Sequence, residues 1–144
     1  MDAELLKLEN QVCHRVYAVT NALTRRYRPH LEAINLTYPQ YIVMMALWEQ
    51  DKIPIQELTL KTKMDAGSIS LILKKLEQKS FINIKVETED RRKRNIVLTS
   101  NGRKLQKKAL VVPEEMGCHL HSVSAKDIER VKDILDRLYA DFSS

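Results

Sequence analysis

A chain of 144 residues, of which 44% are hydrophobic and 30% are charged, is long enough to bury one core and fits one domain with dimerising extensions. Its net charge of +5 is by itself a weak indication of a polyanionic partner. The N-terminal region is charged, and the longest apolar run, residues 41–48, is far shorter than the roughly 20 residues that cross a bilayer. We therefore expect a cytoplasmic protein with no membrane partner.

Two helices are predicted in the N-terminal part. Arg28-Pro29 is expected to kink or end the first, because proline lacks an N–H group and clashes with the preceding turn. The second begins at Thr37, which can form a capping box with Gln40, and its residues 41–48 are apolar on every side, as in a buried central helix. Steps of three and four residues mark the apolar stripe of the first helix: Leu5, Leu8, Val12, Val16, Val19 and Leu23.

Two short helices and a β-hairpin follow. Ile53-Pro54 is expected to open the third helix, and Asp65 is placed to cap the fourth. Residues 81–86 and 95–98 alternate between apolar and polar, as strands do, and the segment between them is highly charged. The apolar residues of the fourth helix recur at helical spacing: Ile69, Ile72, Leu73 and Leu76.

Two further helices are predicted after the hairpin. The fifth runs from Arg103 to about Val112 and is expected to stop near Pro113. A sixth follows Ser124, which can form a capping box with Asp127. Since the first and last helices both carry apolar stripes, a two-fold dimer would bury both. The stripe of the last helix has coiled-coil spacing: Ile128, Val131, Leu135, Leu138 and Phe142.

The charge distribution favours a nucleic-acid partner. Residues 74–108 contain twelve basic and four acidic side chains. Their local charge is therefore +8, whereas the net charge of the whole chain is +5. Such a concentrated positive face is typical of nucleic-acid binders. Only residues 64–67 separate the third and fourth helices, which is short enough for a helix-turn-helix with the hairpin as its wing. This arrangement predicts that the fourth helix enters a DNA groove.

The candidate DNA contacts lie on the fourth helix and on the wing. The serines of the helix lie near its N-terminus, where base edges are usually read, and the lysines lie further along, towards phosphates. In the wing, Arg92 or Arg94 is a candidate for a narrow minor groove, while Arg91 and Lys93 are expected to contact phosphates. The outward face of the fourth helix is expected to carry Ser68, Ser70, Leu71, Lys74 and Lys75.

The wing sequence resembles that of a known family. It reads Asp90-Arg91-Arg92-Lys93-Arg94-Asn95-Ile96-Val97-Leu98-Thr99, followed by Gly102 and Leu105. This run is similar to the wing signature of the MarR family of winged-helix regulators. The resemblance implies a mainly α fold with a small β-hairpin wing, in which about residues 36–112 form the winged helix-turn-helix and about 1–35 and 114–144 form dimerisation helices. It implies a homodimeric transcription factor, usually a repressor that binds double-stranded operator DNA. The sequence shows no Gly-rich phosphate loop and no Ser/His/Asp arrangement, so we do not expect an enzyme.

The two cysteines, Cys13 and Cys118, are not expected to form a structural disulfide in a cytosolic chain. Each is therefore core filler, a metal ligand or a redox group. Tyr17 lies one turn from Cys13, and Tyr27 shares the stripe about 21 Å further along a straight helix. Tyr27 therefore cannot touch Cys13 of its own chain through that helix, but it could approach Cys13 of a second copy if the two first helices crossed antiparallel. Phenolic O–H groups stabilise a thiolate, the form that peroxide attacks.

Four segments of the N-terminal half, residues 8–17, 27–29, 36–41 and 47–49, carry a second similarity. They resemble one branch of the MarR family, the OhrR organic-hydroperoxide sensors. The resemblance implies that Cys13 is the peroxide-reactive thiol and that Tyr17 and Tyr27 hydrogen-bond it. Cys118 lies where two-cysteine members carry a resolving thiol, which implies a sulfenic acid on Cys13 and then a disulfide with Cys118 of the other subunit. No cofactor is implied.

Two other switches stay open. The regulator could respond to a small phenolic or lipophilic ligand, with both cysteines structural. It could be a metal sensor, because Cys118, His119 and His121 are potential ligands close together, although their spacing matches no strong metal motif.

Overall fold

The computed structural model describes residues 2–144, which form seven α-helices and three short β-strands. Two 3-10 turns, Ala3–Leu6 and Leu8–Asn10, precede the first helix. The chain divides into two compact units, one ending at Val112 and the other running from Pro113 to Ser144. The elements are α1 Val12–Glu32, α2 Tyr38–Glu49, β1 Ile53–Pro54, α3 Ile55–Thr62, α4 Ala66–Gln78, β2 Ile82–Val86, β3 Arg94–Leu98, α5 Ser100–Ala109, α6 Val111–Gly117 and α7 Ala125–Ser143.

The centre of the first unit is α2, as its apolar sequence predicts. The predicted capping box is present: the Gln40 N–H donates to Thr37 Oγ1 at 3.4 Å, and the Thr37 N–H donates to Gln40 Oε1 at 3.1 Å. Val43, Met44 and Leu47 are fully buried. Because α2 packs against α3, α4, α5 and β3, the helix-turn-helix and the wing share one core.

The helix-turn-helix is formed by α3 and α4. Lys63 ends α3 in the left-handed conformation, and Asp65 Oδ1 accepts the Ser68 N–H at 2.9 Å, which caps α4. Ile69 and Leu76 are fully buried, as their spacing predicts. The burial of this face fixes which side chains of α4 point outward.

The hairpin belongs to a three-stranded antiparallel sheet with the order β1-β3-β2. Strands β2 and β3 pair from Ile82↔Leu98 to Val86↔Arg94. The prediction that Ile53-Pro54 opens a helix was wrong, because these two residues form β1 and Ile53 pairs with Ile96. Pro54 lies on an edge strand, where its missing N–H removes no bond from the centre of the sheet.

Three helix boundaries differ from the predictions. The stripe expected from Leu5 is interrupted, since α1 begins only at Val12. Arg28-Pro29 does not end α1, which continues to Glu32 and thereby buries Leu31 against the core. Pro113 does not stop α5, which already ends at Ala109; it is the third residue of α6, where an N–H would have no intrahelical acceptor.

The second unit contains α7, and its predicted cap is confirmed. Ser124 Oγ accepts the Asp127 N–H at 3.2 Å, and Asp127 Oδ2 accepts the Ser124 N–H at 3.0 Å. The apolar stripe of α7 remains largely exposed, including Val131, Leu135 and Phe142. Across residues 2–144, no helix combines the length and apolarity that a membrane crossing requires.

Candidate DNA-binding and redox sites

The outward face of α4 has the composition that the sequence predicts. Its exposed residues follow from the burial of the opposite face, and they change from hydroxyl-bearing to basic along the helix. The face begins at the N-terminal end, next to the capping carboxylate of Asp65. It consists of Ser68, Ser70, Leu71, Lys74 and Lys75.

Both serine hydroxyls of this face are already engaged as donors. Ser68 Oγ donates to Asp65 Oδ2 at 2.7 Å, and Ser70 Oγ donates to the Ala66 carbonyl oxygen at 2.9 Å. The Ser68 hydrogen bonds hold the pKa of the Asp65 carboxyl below its usual value. Because a hydroxyl carries one proton, both serines present only acceptor lone pairs outward. They therefore suit base amino groups better than phosphates.

The wing tip exposes four consecutive basic residues, Arg91, Arg92, Lys93 and Arg94. Asp90 holds the turn, because its Oδ1 accepts the Arg92 N–H at 3.0 Å and its carbonyl accepts the Lys93 N–H at 3.0 Å. Glu87 Oε1 accepts a hydrogen bond from Asn95 Nδ2 at 2.8 Å. These two acidic residues thus shape the loop, and the cationic side chains project into solvent.

Lys79 belongs to the basic segment of the sequence but is held inside the fold. Its Nζ donates at 2.8 Å to the Asn35 carbonyl and at 2.8 Å to Gln40 Oε1. Burial, followed by the nearby charge of Lys75, lowers the pKa of Lys79. It therefore ties the end of α4 to the turn between α1 and α2. Its spacing from Leu76 places it on the buried face, a signal that the charge count ignored.

Two further anchors of the wing were not predicted. Asp51 Oδ1 accepts the Leu98 N–H at 2.8 Å, and Arg103 Nη1 lies 3.4 Å from Asp51 Oδ2. Trp48 Nε1 donates to the Gly102 carbonyl at 2.9 Å. All three contacts join residues about fifty positions apart, which no local pattern reveals. They fix the base of the wing to α2 and α5.

Cys13 is an exposed free thiol and the second residue of α1. The N–H groups of this first turn have no intrahelical acceptors. Tyr17 follows one turn later and is 66% exposed. Tyr27 lies fourteen residues beyond Cys13 on the same helix, about 21 Å along its axis, so α1 does not bring the two together within one chain.

Tyr27 packs into the first unit of its own chain. Its ring centroid lies 4.9 Å from that of Tyr38 and 6.1 Å from that of Tyr41. Burial, followed by the neighbouring Tyr38, raises the pKa of the Tyr27 phenol. The Tyr27 hydroxyl, like any phenol at neutral pH, is protonated and can act as a hydrogen-bond donor.

Cys118 is the second free thiol and lies in the second unit, in the turn that follows α6. Its side chain is exposed, and its N–H donates to the Glu114 carbonyl at 3.1 Å. Within the part of the chain that the structure describes, no group of three or more His, Cys, Asp or Glu side chains is placed to hold a metal ion.

A helix-turn-helix followed by a basic wing defines a winged-helix DNA-binding protein. Residues 25–109, more than half of the chain, match the family model described as transcriptional regulator SarA/Rot. The organic hydroperoxide resistance transcriptional regulator of Bacillus subtilis (strain 168) is 35% identical over 130 residues, covering 90% of this chain and 88% of that protein.

Two solved structures of AbfR, a protein of Staphylococcus epidermidis, are similar over almost the whole chain. Reduced AbfR bound to DNA has a TM-score of 0.81 and 25% identity and covers 99% of this chain and 97% of its own. The disulfide form of AbfR has a TM-score of 0.67 and 27% identity and covers 94% of each chain. The chain therefore belongs to the MarR family of winged-helix transcriptional regulators, with a SarA/Rot-type DNA-binding region.

Proposed function

We propose that this regulator is a redox-sensing repressor that binds operator DNA as a homodimer and is released when an organic hydroperoxide oxidises Cys13. The observation that carries the proposal is the exposed thiol of Cys13 in the first turn of α1. Peroxide can reach it, and the free N–H groups of that turn are donors for an anion formed there. The similarity to a hydroperoxide resistance regulator supports the choice of oxidant.

The homodimer is supported by apolar surface that one chain leaves in water. On α1, Val12, Val16 and Val19 are between 41% and 59% exposed, and α7 exposes a stripe of its own. A second copy would bury such surfaces. If two copies of α1 cross antiparallel, Tyr27 of one chain can donate a hydrogen bond to Cys13 of the other. Tyr17 of the chain that carries this Cys13 is then the second phenolic donor.

The oxidation has two balanced steps. The Cys13 thiolate attacks the peroxide O–O bond, which gives a sulfenic acid and releases an alcohol after protonation. The Cys118 thiol of the other subunit then attacks the sulfenic sulfur, which forms the disulfide and releases water. A disulfide between subunits would change the spacing of the two α4 helices, so they would no longer fit successive major grooves. AbfR has been solved both reduced and bound to DNA and with a disulfide formed, which supports a thiol–disulfide change in a regulator of this kind.

On DNA, we place α4 in the major groove and the wing tip over the adjacent minor groove or backbone. Ser68 and Ser70 face base edges, and Lys74 and Lys75 face phosphates. This assignment follows the exposure of these side chains and the basic run from Arg91 to Arg94. The structure of reduced AbfR bound to DNA supports DNA as the partner.

Replacing a wing arginine tests the DNA assignment. Arg92→Ala and Arg94→Ala are expected to weaken binding and to reduce the slope of log affinity against log salt by about one unit per lost phosphate contact. Arg130→Ala, which removes an exposed charge of α7, is the matched control and should leave the slope unchanged. If neither wing variant nor the double variant differs from this control, the wing does not contact DNA.

The switch is tested on the reduced wild-type protein bound to a labelled duplex and followed by fluorescence anisotropy. Cumene hydroperoxide should lower the affinity for the duplex by at least about tenfold. A dimer that contacts only one half-site loses the gain in affinity that comes from binding two linked half-sites. Dithiothreitol should restore binding, and a non-reducing gel should show a crosslinked dimer. Release without a crosslink contradicts the disulfide step, and no release contradicts the redox switch.

A cavity supports a second candidate, release by a small phenolic carboxylate. Between α1 and α2 lies a cavity of about 240 Å³, lined mainly by apolar atoms, with Arg28 and Tyr38 and also the acidic Glu32 on its wall. A guanidinium beside an aromatic ring suits an aromatic carboxylate. Under this alternative, salicylate releases DNA in the presence of dithiothreitol, and Arg28→Met abolishes the effect. If stoichiometric zinc or copper releases DNA and salicylate does not, the result instead favours a metal sensor.

A further inference from the structure

Leu71 is the apolar exception on the outward face of α4. Its side chain is 65% exposed, although Ile69, Leu73 and Leu76 on the same helix are buried. It therefore contributes little to the core of its own unit. Ser68 lies one turn before it and Lys75 one turn after it, so Leu71 occupies the middle of the face between the hydroxyl end and the basic end.

This position matters in a major groove. The N-terminal end of a recognition helix meets base edges, and the lysines further along reach towards phosphates. Thymine is the base whose major-groove edge carries a methyl group, and it otherwise offers only the O4 acceptor. Ser68 and Ser70 cannot donate to O4 while their protons are engaged with Asp65 and Ala66. Recognition of thymine at this point therefore depends on an apolar contact.

We propose that Leu71 is a specificity-determining residue that packs against the C5-methyl group of a thymine in each half-site. The proposal rests on the placement of α4 in the major groove given above. Burial of one methyl group against Leu71 corresponds to about a fourfold difference in affinity per thymine, and uracil, which lacks only that methyl group, is the matched base.

The test uses the full-length reduced protein and a duplex selected by it from a randomised library. Each thymine of the duplex is replaced singly by uracil, and affinities are measured at low salt, where phosphate contacts keep weakened variants bound. We expect one position per half-site at which uracil lowers the wild-type affinity by about fourfold. Leu71→Ala should remove this sensitivity. Leu60→Ala, which truncates an 80% exposed leucine of α3, should retain it.

The outcomes separate this proposal from the DNA assignment. If no thymine is sensitive to uracil, or if Leu71→Ala keeps the same sensitivity as the wild type, Leu71 does not read thymine. Lys74→Ala and Lys75→Ala should weaken binding to every duplex alike. If they do so while uracil has no effect, α4 still binds DNA and only the role of Leu71 is wrong. If they have no effect, the placement of α4 itself fails.

Discussion

A Cys13→Ser variant is expected to remain bound to operator DNA in cumene hydroperoxide that releases the wild-type protein completely. Serine is close to cysteine in size, but it has no sulfur for the peroxide to oxidise. Since Cys13 is exposed, the substitution should not disturb the core, and the affinity in reducing buffer should stay within about twofold of the wild type. Anisotropy titrations with and without oxidant measure both quantities.

Cys118→Ser is the matched control, because it removes the other exposed thiol. This variant should still react at Cys13, but a non-reducing gel should show no crosslinked dimer. Without a resolving thiol, the sulfenic acid should proceed to sulfinic acid in excess peroxide, so dithiothreitol should no longer restore the starting state. Release of Cys13→Ser by the oxidant to the wild-type extent would exclude Cys13 as the sensor.

Gly102→Ala is expected to have the largest effect on stability. A Cβ atom at this position would lie 2.1 Å from the Phe81 carbonyl oxygen and 3.1 Å from its carbon, both of them backbone atoms. The start of α5 would have to move away from Phe81, which would also disturb the Trp48 bond to the Gly102 carbonyl. We expect a loss of about 3 kcal/mol or more in the free energy of unfolding, measured by urea denaturation.

Gly117→Ala provides the matched control for this prediction. A Cβ at Gly117 would meet no atom within 4 Å, and its φ is not positive. Alanine there should be neutral or stabilise by up to about 1 kcal/mol, because it restricts the unfolded chain. Equal midpoints for the two variants would show that Phe81 and α5 tolerate the extra methyl group.

The helices whose ends are marked locally could be predicted from the sequence. Thr37, Asp65 and Ser124 each cap a helix as expected, because a cap depends on residues three positions apart. Strand β1 could not be predicted, since two residues carry no periodicity and their pairing with β3 depends on the folded core. Of the two effects expected of Pro29, ending α1 does not occur, since the helix continues to Glu32 and buries Leu31.

The candidate sites also contain features that the sequence predicts and features that it does not. Exposure of Ser68, Lys74 and the wing arginines follows from helical periodicity and from charge. The contacts of Lys79 and Asp51 depend on partners about forty positions away or more, so a count of local charge does not show that the Lys79 ammonium is held by Gln40. The packing of Tyr27 against Tyr38 was also missed, because a helical stripe does not tell which neighbouring element covers it.

The most direct measurement of the switch follows Cys13 and DNA together. A protein–duplex complex is treated with cumene hydroperoxide, and samples taken over time are read by anisotropy, quenched by alkylation and analysed by peptide mass spectrometry. We expect loss of the free Cys13 thiol to match DNA release in extent at every time, with a Cys13–Cys118 linked peptide as the product. DNA release while Cys13 remains alkylatable would contradict the proposed sensor.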